Sequence, residues 1–131
     1  MLCRLMRRPL LLLALPVVAA AAVACGSEGV QVAKDSPEYD GAEIFHQRCA
    51  GCHSLDVDGA QGSAVKANNR EYKDGPNFDQ RKEDVDSVLY AIRNGGFSSG
   101  PMPQNIVTGE EAQKVAEFVA RYSGRGAGGS E

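Results

Sequence analysis

Basic charge is in short supply in this chain, and the shortage removes one class of function at once. Fourteen Lys and Arg stand against seventeen Asp and Glu in 131 residues. Arg4, Arg7 and Arg8 fall in the first 24 residues, which hold no acid, so the other 107 carry eleven basic and seventeen acidic groups, net −6. Binding to a phosphate backbone needs the opposite balance, so nucleic acid is excluded as a partner. An acidic surface suits solubility and a basic docking partner. Histidine and methionine are scarce too. Beyond residue 24 the supply is His46, His53 and Met102, and any site that needs an imidazole or a thioether must draw on these three. No run reads as a convincing strand.

What is present begins with a leader. Arg4, Arg7 and Arg8 make a positive start, Leu10 to Ala24 is apolar with Pro16 as its one breaker, and the run stops at Cys25. That stretch is too short for a comfortable membrane span of roughly 20 apolar residues, and it reads as an export signal over 1–24. Ala22-Val23-Ala24 suits ordinary signal cleavage. Small residues before a cysteine also resemble a bacterial lipoprotein signal, in which Cys25 becomes the lipidated first residue, although Ala22 stands where Leu is usual. An otherwise odd exposed thiol favours lipidation of Cys25. Residues 25–38 then form a lipid-anchored polar tether, 39–123 a single domain, and 124–131 a glycine-rich flexible tail.

The chemistry is concentrated in Cys49-Ala50-Gly51-Cys52-His53. C-x-x-C-H is the attachment signature of c-type haem. Two thiols on one helical turn reach the two vinyl groups of a porphyrin, and the adjoining imidazole points at the iron. One covalently bound haem c is therefore the expected cofactor. A large apolar cofactor also supplies core to a domain too small to bury much surface unaided.

Three helices are expected. The first starts near Asp40 as N-cap with Glu43 as its capping-box partner, and its stripe Ala42, Phe45, Cys49, Cys52 runs to the thiols. The second covers about 82–94 through Val85, Val88, Leu89 and Ile92, with Glu83 and Asp84 at its positive end and Gly95-Gly96 as its stop. The third opens on a Thr108-Gly109-Glu110-Glu111 capping box, continues through Val115, Phe118, Val119 and Tyr122, and stops before Gly124. Long loops over 54–81 and 94–107 are left to wrap the ring edges.

The sixth iron ligand has two candidates. His46 lies seven residues before His53 on the same helix, cannot reach the far face of the ring, and is expected to face solvent. Met102, flanked by Pro101 and Pro103, sits on a backbone stiffened by proline. It is the expected axial ligand, its alternative being an ordinary hydrophobic loop residue.

Residues 39–123 resemble the class I cytochromes c of the small bacterial monohaem type. The resemblance rests on Gly41 and Phe45, C-x-x-C-H, Gly75-Pro76-Asn77-Phe78, Met102-Pro103 and the 115–122 helix. It implies an all-α fold, a small cytochrome c domain of three main helices wrapped by loops around the haem. It also implies that the first and last helices cross at Gly41 against Phe118. In the family a proline carbonyl accepts from the proximal histidine. Pro76 matches that position, although Phe78 stands where the family has Leu. His/Met ligation raises the potential and closes both axial positions, which suits a one-electron carrier rather than an enzyme. The expected partners are redox proteins of the membrane, a respiratory complex, an oxidase or a dehydrogenase. The expected form is a monomer on the extracytoplasmic face, held to the membrane by lipid on Cys25. A haem subunit of a dehydrogenase or oxidase complex is the alternative. A haem sensor with a labile Met102 and a haem-free thiol or zinc site are rivals from other classes. Lys66 and Lys73 border either a docking surface or a solvated loop.

Overall fold

The computed structural model describes residues 29–63, 69–97 and 100–125. The leader and Cys25 lie outside these residues, as does Lys66. In chain order the elements are α1 (Tyr39–Arg48), β1 (Ser54–Leu55), a 3-10 turn (Asp56–Asp58), β2 (Ala60–Gln61), α2 (Val85–Asn94) and α3 (Gly109–Tyr122). α1 packs on α3, and α3 packs on α2. No described helix is long and apolar enough to cross a membrane.

α1 begins one residue before the expected cap. Glu38 is the N-cap and makes no side-chain cap bond. Asp40 is engaged elsewhere, with Lys114 Nζ 2.6 Å from its Oδ2, and Glu43 accepts from Tyr39 Oη at 2.7 Å. The carboxylates expected to form a capping box therefore tie α1 to α3 and brace its own surface. The crossing is set by Gly41. A Cβ there would lie 2.3 Å from the Lys114 carbonyl oxygen and 3.0 Å from Phe118 Cβ, so any side chain would push the helices apart. Phe45 meets Phe118 edge-on with 5.6 Å between centroids, a favoured aromatic geometry.

α2 starts at Val85 because Asp84 caps it. The carboxylate accepts from the Ser87 N–H at 2.8 Å and from its hydroxyl at 3.1 Å, which satisfies an orphan donor of the first turn. Its stop is as expected, with Gly95 left-handed at φ 73°. Thr108 is the N-cap of α3, but its side chain makes no cap bond. Gly109 beside it holds φ 57°, outside the helical dihedrals that a capping box requires.

The 54–81 connection is more ordered than a loop. β1 and β2 pair antiparallel, Ser54 opposite Gln61 and Leu55 opposite Ala60, around the 3-10 turn closed by Gly59 at φ 66°. Part of the expected tether is also packed: Val32 is buried, and the Gln31 N–H donates to the Val57 carbonyl at 2.9 Å. At the other end Ser123 is buried. Its hydroxyl accepts from the Glu83 N–H at 3.0 Å, and the Gly124 N–H donates to the Phe78 carbonyl at 2.7 Å. Residues 126–131 of the expected tail lie outside the described residues.

Candidate functional site

α1 ends at Arg48, so the C-x-x-C-H residues occupy the turn beyond it rather than the helix. Cys49 is the C-cap, and its N–H donates to the Phe45 carbonyl. The Cys49 carbonyl then accepts from the N–H groups of Cys52 and His53, both at 3.1 Å. Two glycines lock this turn from outside. Gly62 donates to the His53 carbonyl at 3.1 Å and Gly75 to the Cys52 carbonyl at 2.7 Å. A Cβ on Gly62 would meet the Ala50 carbonyl oxygen at 2.3 Å, and one on Gly75 would meet His53 Cε1 at 2.3 Å. Neither position tolerates a side chain at that approach.

His53 is buried and held on several sides. Its Nδ1 lies 3.1 Å from the Pro76 carbonyl oxygen. A carbonyl only accepts, so Nδ1 carries the proton and Nε2 keeps its lone pair. Burial pushes the imidazole below its ordinary pKa, against the opposing pull of the Pro76 hydrogen bond. The ring therefore stays neutral and able to ligate. Phe78 stacks parallel on it, 4.7 Å between centroids at 8°. The sequence shows Phe78 only as a departure from Leu, and the stack is what occupies that position.

These residues line one cavity of about 550 Å³, within the roughly 300–1,000 Å³ range of ligand sites. Cys49, Cys52, His53 and Pro76 contribute to it, with Phe45, Phe78, Val88, Ile92, Ile106, Val115 and Val119 as apolar wall and Met102 from the 100–107 loop. That loop is fixed by the Asn105 N–H donating to the Ile92 carbonyl at 2.7 Å and by Gly95, where a Cβ would meet the Met102 carbonyl oxygen at 2.8 Å. Met102 is half-buried. Lys73 is on the rim, 3.5 Å from Glu71.

Cys49 and Cys52 are not joined in a disulfide. Burial, with the Asp58 charge and Cys52 behind it, pushes the Cys49 thiol up to about 12. A redox-active C-x-x-C works through a depressed thiol pKa, so the thiol-enzyme rival has the wrong electrostatics. A structural zinc site needs four N/S ligands, and no group of three or more His, Cys, Asp or Glu is placed to hold a metal among the described residues. His46 does not line the cavity. Nor does it simply face solvent as expected: its Nδ1 lies 3.0 Å from Oδ2 of Asp58, a side chain with no exposure. Asp58 carries no sequence signal of burial beyond its place in an Asp-Gly turn dipeptide.

Residues 39–123 match the cytochrome c family. Cytochrome c-551 of Bacillus subtilis is 29% identical over 104 residues, covering 74% of this chain and 80% of that protein. The crystal structure of the c-type cytochrome SorU from Sinorhizobium meliloti is similar with a TM-score of 0.53 and 38% identity, over 67% of this chain and 92% of that one. Family, fold and cysteine placement agree: the chain belongs to the cytochrome c family, as a small, mostly helical electron-carrier domain with covalent haem c.

Proposed function

We propose that this protein is an exported, lipid-anchored, one-electron carrier. Cys49 and Cys52 would tie the haem covalently, and His53 and Met102 would be the residues that ligate its iron. The observation that carries the reading is the fixed imidazole of His53, whose Nδ1–H donates to the Pro76 carbonyl, in a cavity that Met102 also lines. The cavity fits the group. Its wall is largely aliphatic and aromatic, two thiols stand at one edge, and a neutral nitrogen and a soft sulfur are the available donors. Bound there, haem supplies a single-electron couple.

The protein's own contribution is orientation and exclusion. Pro76 sets the His53 tautomer and makes it a better ligand. Gly75 and Phe78 hold the ring plane. Met102, a soft neutral donor, would raise the potential of a haem held there and keep oxygen or substrate from the iron. Cytochrome c homologues are generally exported to the extracytoplasmic side, where a covalent cofactor is not diluted away. Lipid on Cys25 keeps the monomer on the membrane surface, in reach of redox complexes that donate and accept electrons. Docking of this kind is small and transient.

Optical spectra of the purified protein, oxidised and reduced, with and without carbon monoxide, test the ligation. The expected result is a low-spin c-type spectrum with the weak far-red methionine–iron band, unchanged by carbon monoxide. A high-spin or carbon-monoxide-shifted spectrum overturns Met102 as a firm ligand and returns the sensor reading.

A further inference from the structure

The ring stacked on His53 is itself held from several directions. Phe78 is buried and lies parallel to the imidazole, with 4.7 Å between centroids at 8°, the separation of an offset stack. Both of its backbone groups are used. The Phe78 N–H donates to the Ser54 carbonyl at 2.9 Å, and the Phe78 carbonyl accepts from the Gly124 N–H at 2.7 Å. Ser54 adjoins the histidine in the chain, and Gly124 follows Ser123, the C-cap of α3. Phe78 is thus a strut between the attachment turn and the closing end of the last helix.

Its side chain has as little freedom as its backbone. Phe45 of α1 meets Phe78 at 6.1 Å and 59°, and meets Phe118 of α3 at 5.6 Å and 62°. Phe45 also lies 6.5 Å from the imidazole at 51°. The far end of the strut is pinned a second time, because the Glu83 N–H donates to the Ser123 hydroxyl at 3.0 Å. Gly124 holds φ 74°, and a Cβ there would lie 2.9 Å from Lys82 Cβ, so the chain closes tightly at that point. The bond from His53 Nδ1 to the Pro76 carbonyl fixes which nitrogen carries the proton. A single hydrogen bond stays favourable over a range of angles, so it leaves the ring some freedom to rock. A parallel ring removes that freedom, since rocking drives the imidazole edge into the Phe78 face.

We infer that Phe78 is a positioning residue for iron coordination, setting the plane of the His53 imidazole and tying that plane to the closed end of α3. The inference deepens the His53 ligation reading and rests on it. Residues behind a metal ligand orient it and so tune the metal. The plane of a ligating imidazole decides which metal d orbitals its π electrons meet. A fixed plane gives the oxidised form one electronic ground state, whereas a rocking ring gives a blend. The packed aromatic chain Phe118–Phe45–Phe78 carries this constraint from the helix crossing to the ligand, because a close-packed interior transmits displacement.

Paramagnetic proton NMR of the oxidised, haem-loaded protein tests it, since haem-methyl shifts respond to the orientation of the axial ligands. Phe78→Leu keeps an apolar side chain without a ring. It is expected to change the spread of the methyl shifts and to broaden the electron paramagnetic resonance g-values, while the optical spectrum stays low-spin. Phe78→Tyr keeps the ring and is expected to keep the parent pattern. Ser123→Ala loosens the end of α3 and is expected to move the shifts as Phe78→Leu does, by less. A residue that only packs lowers the melting temperature without moving shifts recorded well below the melt. An unchanged pattern in Phe78→Leu overturns the positioning role and leaves the ligation standing, and no movement in Ser123→Ala overturns the tie to α3. Absence of a low-spin spectrum in the unsubstituted protein overturns the ligation reading itself.

Discussion

At the scale of single residues, the site is built as much from missing side chains as from reactive ones. Cys49, Cys52 and His53 are legible from their spacing alone, and Met102, singled out by the scarcity of alternatives, lines the same cavity. Pro76 follows from the resemblance, and its carbonyl lies at hydrogen-bond distance from His53. Gly75 and Gly62 show their purpose only in three dimensions, because nothing in a glycine's neighbours says which backbone will approach it. Asp58 was illegible for the same reason: its burial comes from the packing of β1, β2 and α1 around a polar turn. Gly75→Ala is expected to destabilise the protein by about 1–3 kcal/mol, the usual cost of overpacking. The added methyl collides with the imidazole ring itself. At roughly 4–8 °C per kcal/mol for a domain of this size, thermal denaturation followed through the haem band resolves it. An unchanged midpoint and full haem loading would mean that the His53 turn yields without strain.

At the scale of elements, hydrophobic periodicity located all three helices, and the reading failed at their starts and at the end of α1, which stops at Arg48 before the thiols. Of the residues the period picks out on α2 and α3, Val88, Ile92, Val115, Phe118 and Val119 are buried and Val85, Leu89 and Tyr122 partly so, while Ala112 and Ala116 join the buried face of α3. Caps are harder, since a carboxylate or hydroxyl in the right sequence position has competing partners. Asp40 is drawn off by Lys114, and Thr108 is bypassed where Gly109 turns the chain. The β1–β2 pair escaped notice because two-residue strands are too short to show a period of two. These caps separate in an experiment. Asp84→Ala is expected to cost about 1 kcal/mol, whereas Thr108→Ala should stay within about 0.5 kcal/mol. Far-ultraviolet circular dichroism melts of the two variants check this, and equal losses would show that the Thr108 hydroxyl caps in solution.

At the scale of the whole molecule, the burial of Val32 would limit how far a domain held through lipid on Cys25 could travel. If residues 25–38 were free, lipid on Cys25 would leave a long leash. With Val30 and Val32 packed on the domain and Gln31 bonded to Val57, at most five residues, 25–29, separate Cys25 from the folded part, about 17 Å at full extension. Cys25→Ser is expected to release the protein from membranes into the soluble exported fraction with its spectrum intact; fractionation followed by haem staining reads the outcome, and retention on membranes would defeat the lipid reading. The pairing of α1 with α3 has its own consequence, in time rather than space. A chain made from its first residue onward leaves α1 without its main partner until Phe118 and Val119 have emerged. The segment from Ser123 to Gly124 that closes over Phe78 comes later still. Until α3 has formed, the cavity that holds Cys49 and Cys52 lacks the part of its wall that Val115 and Val119 supply.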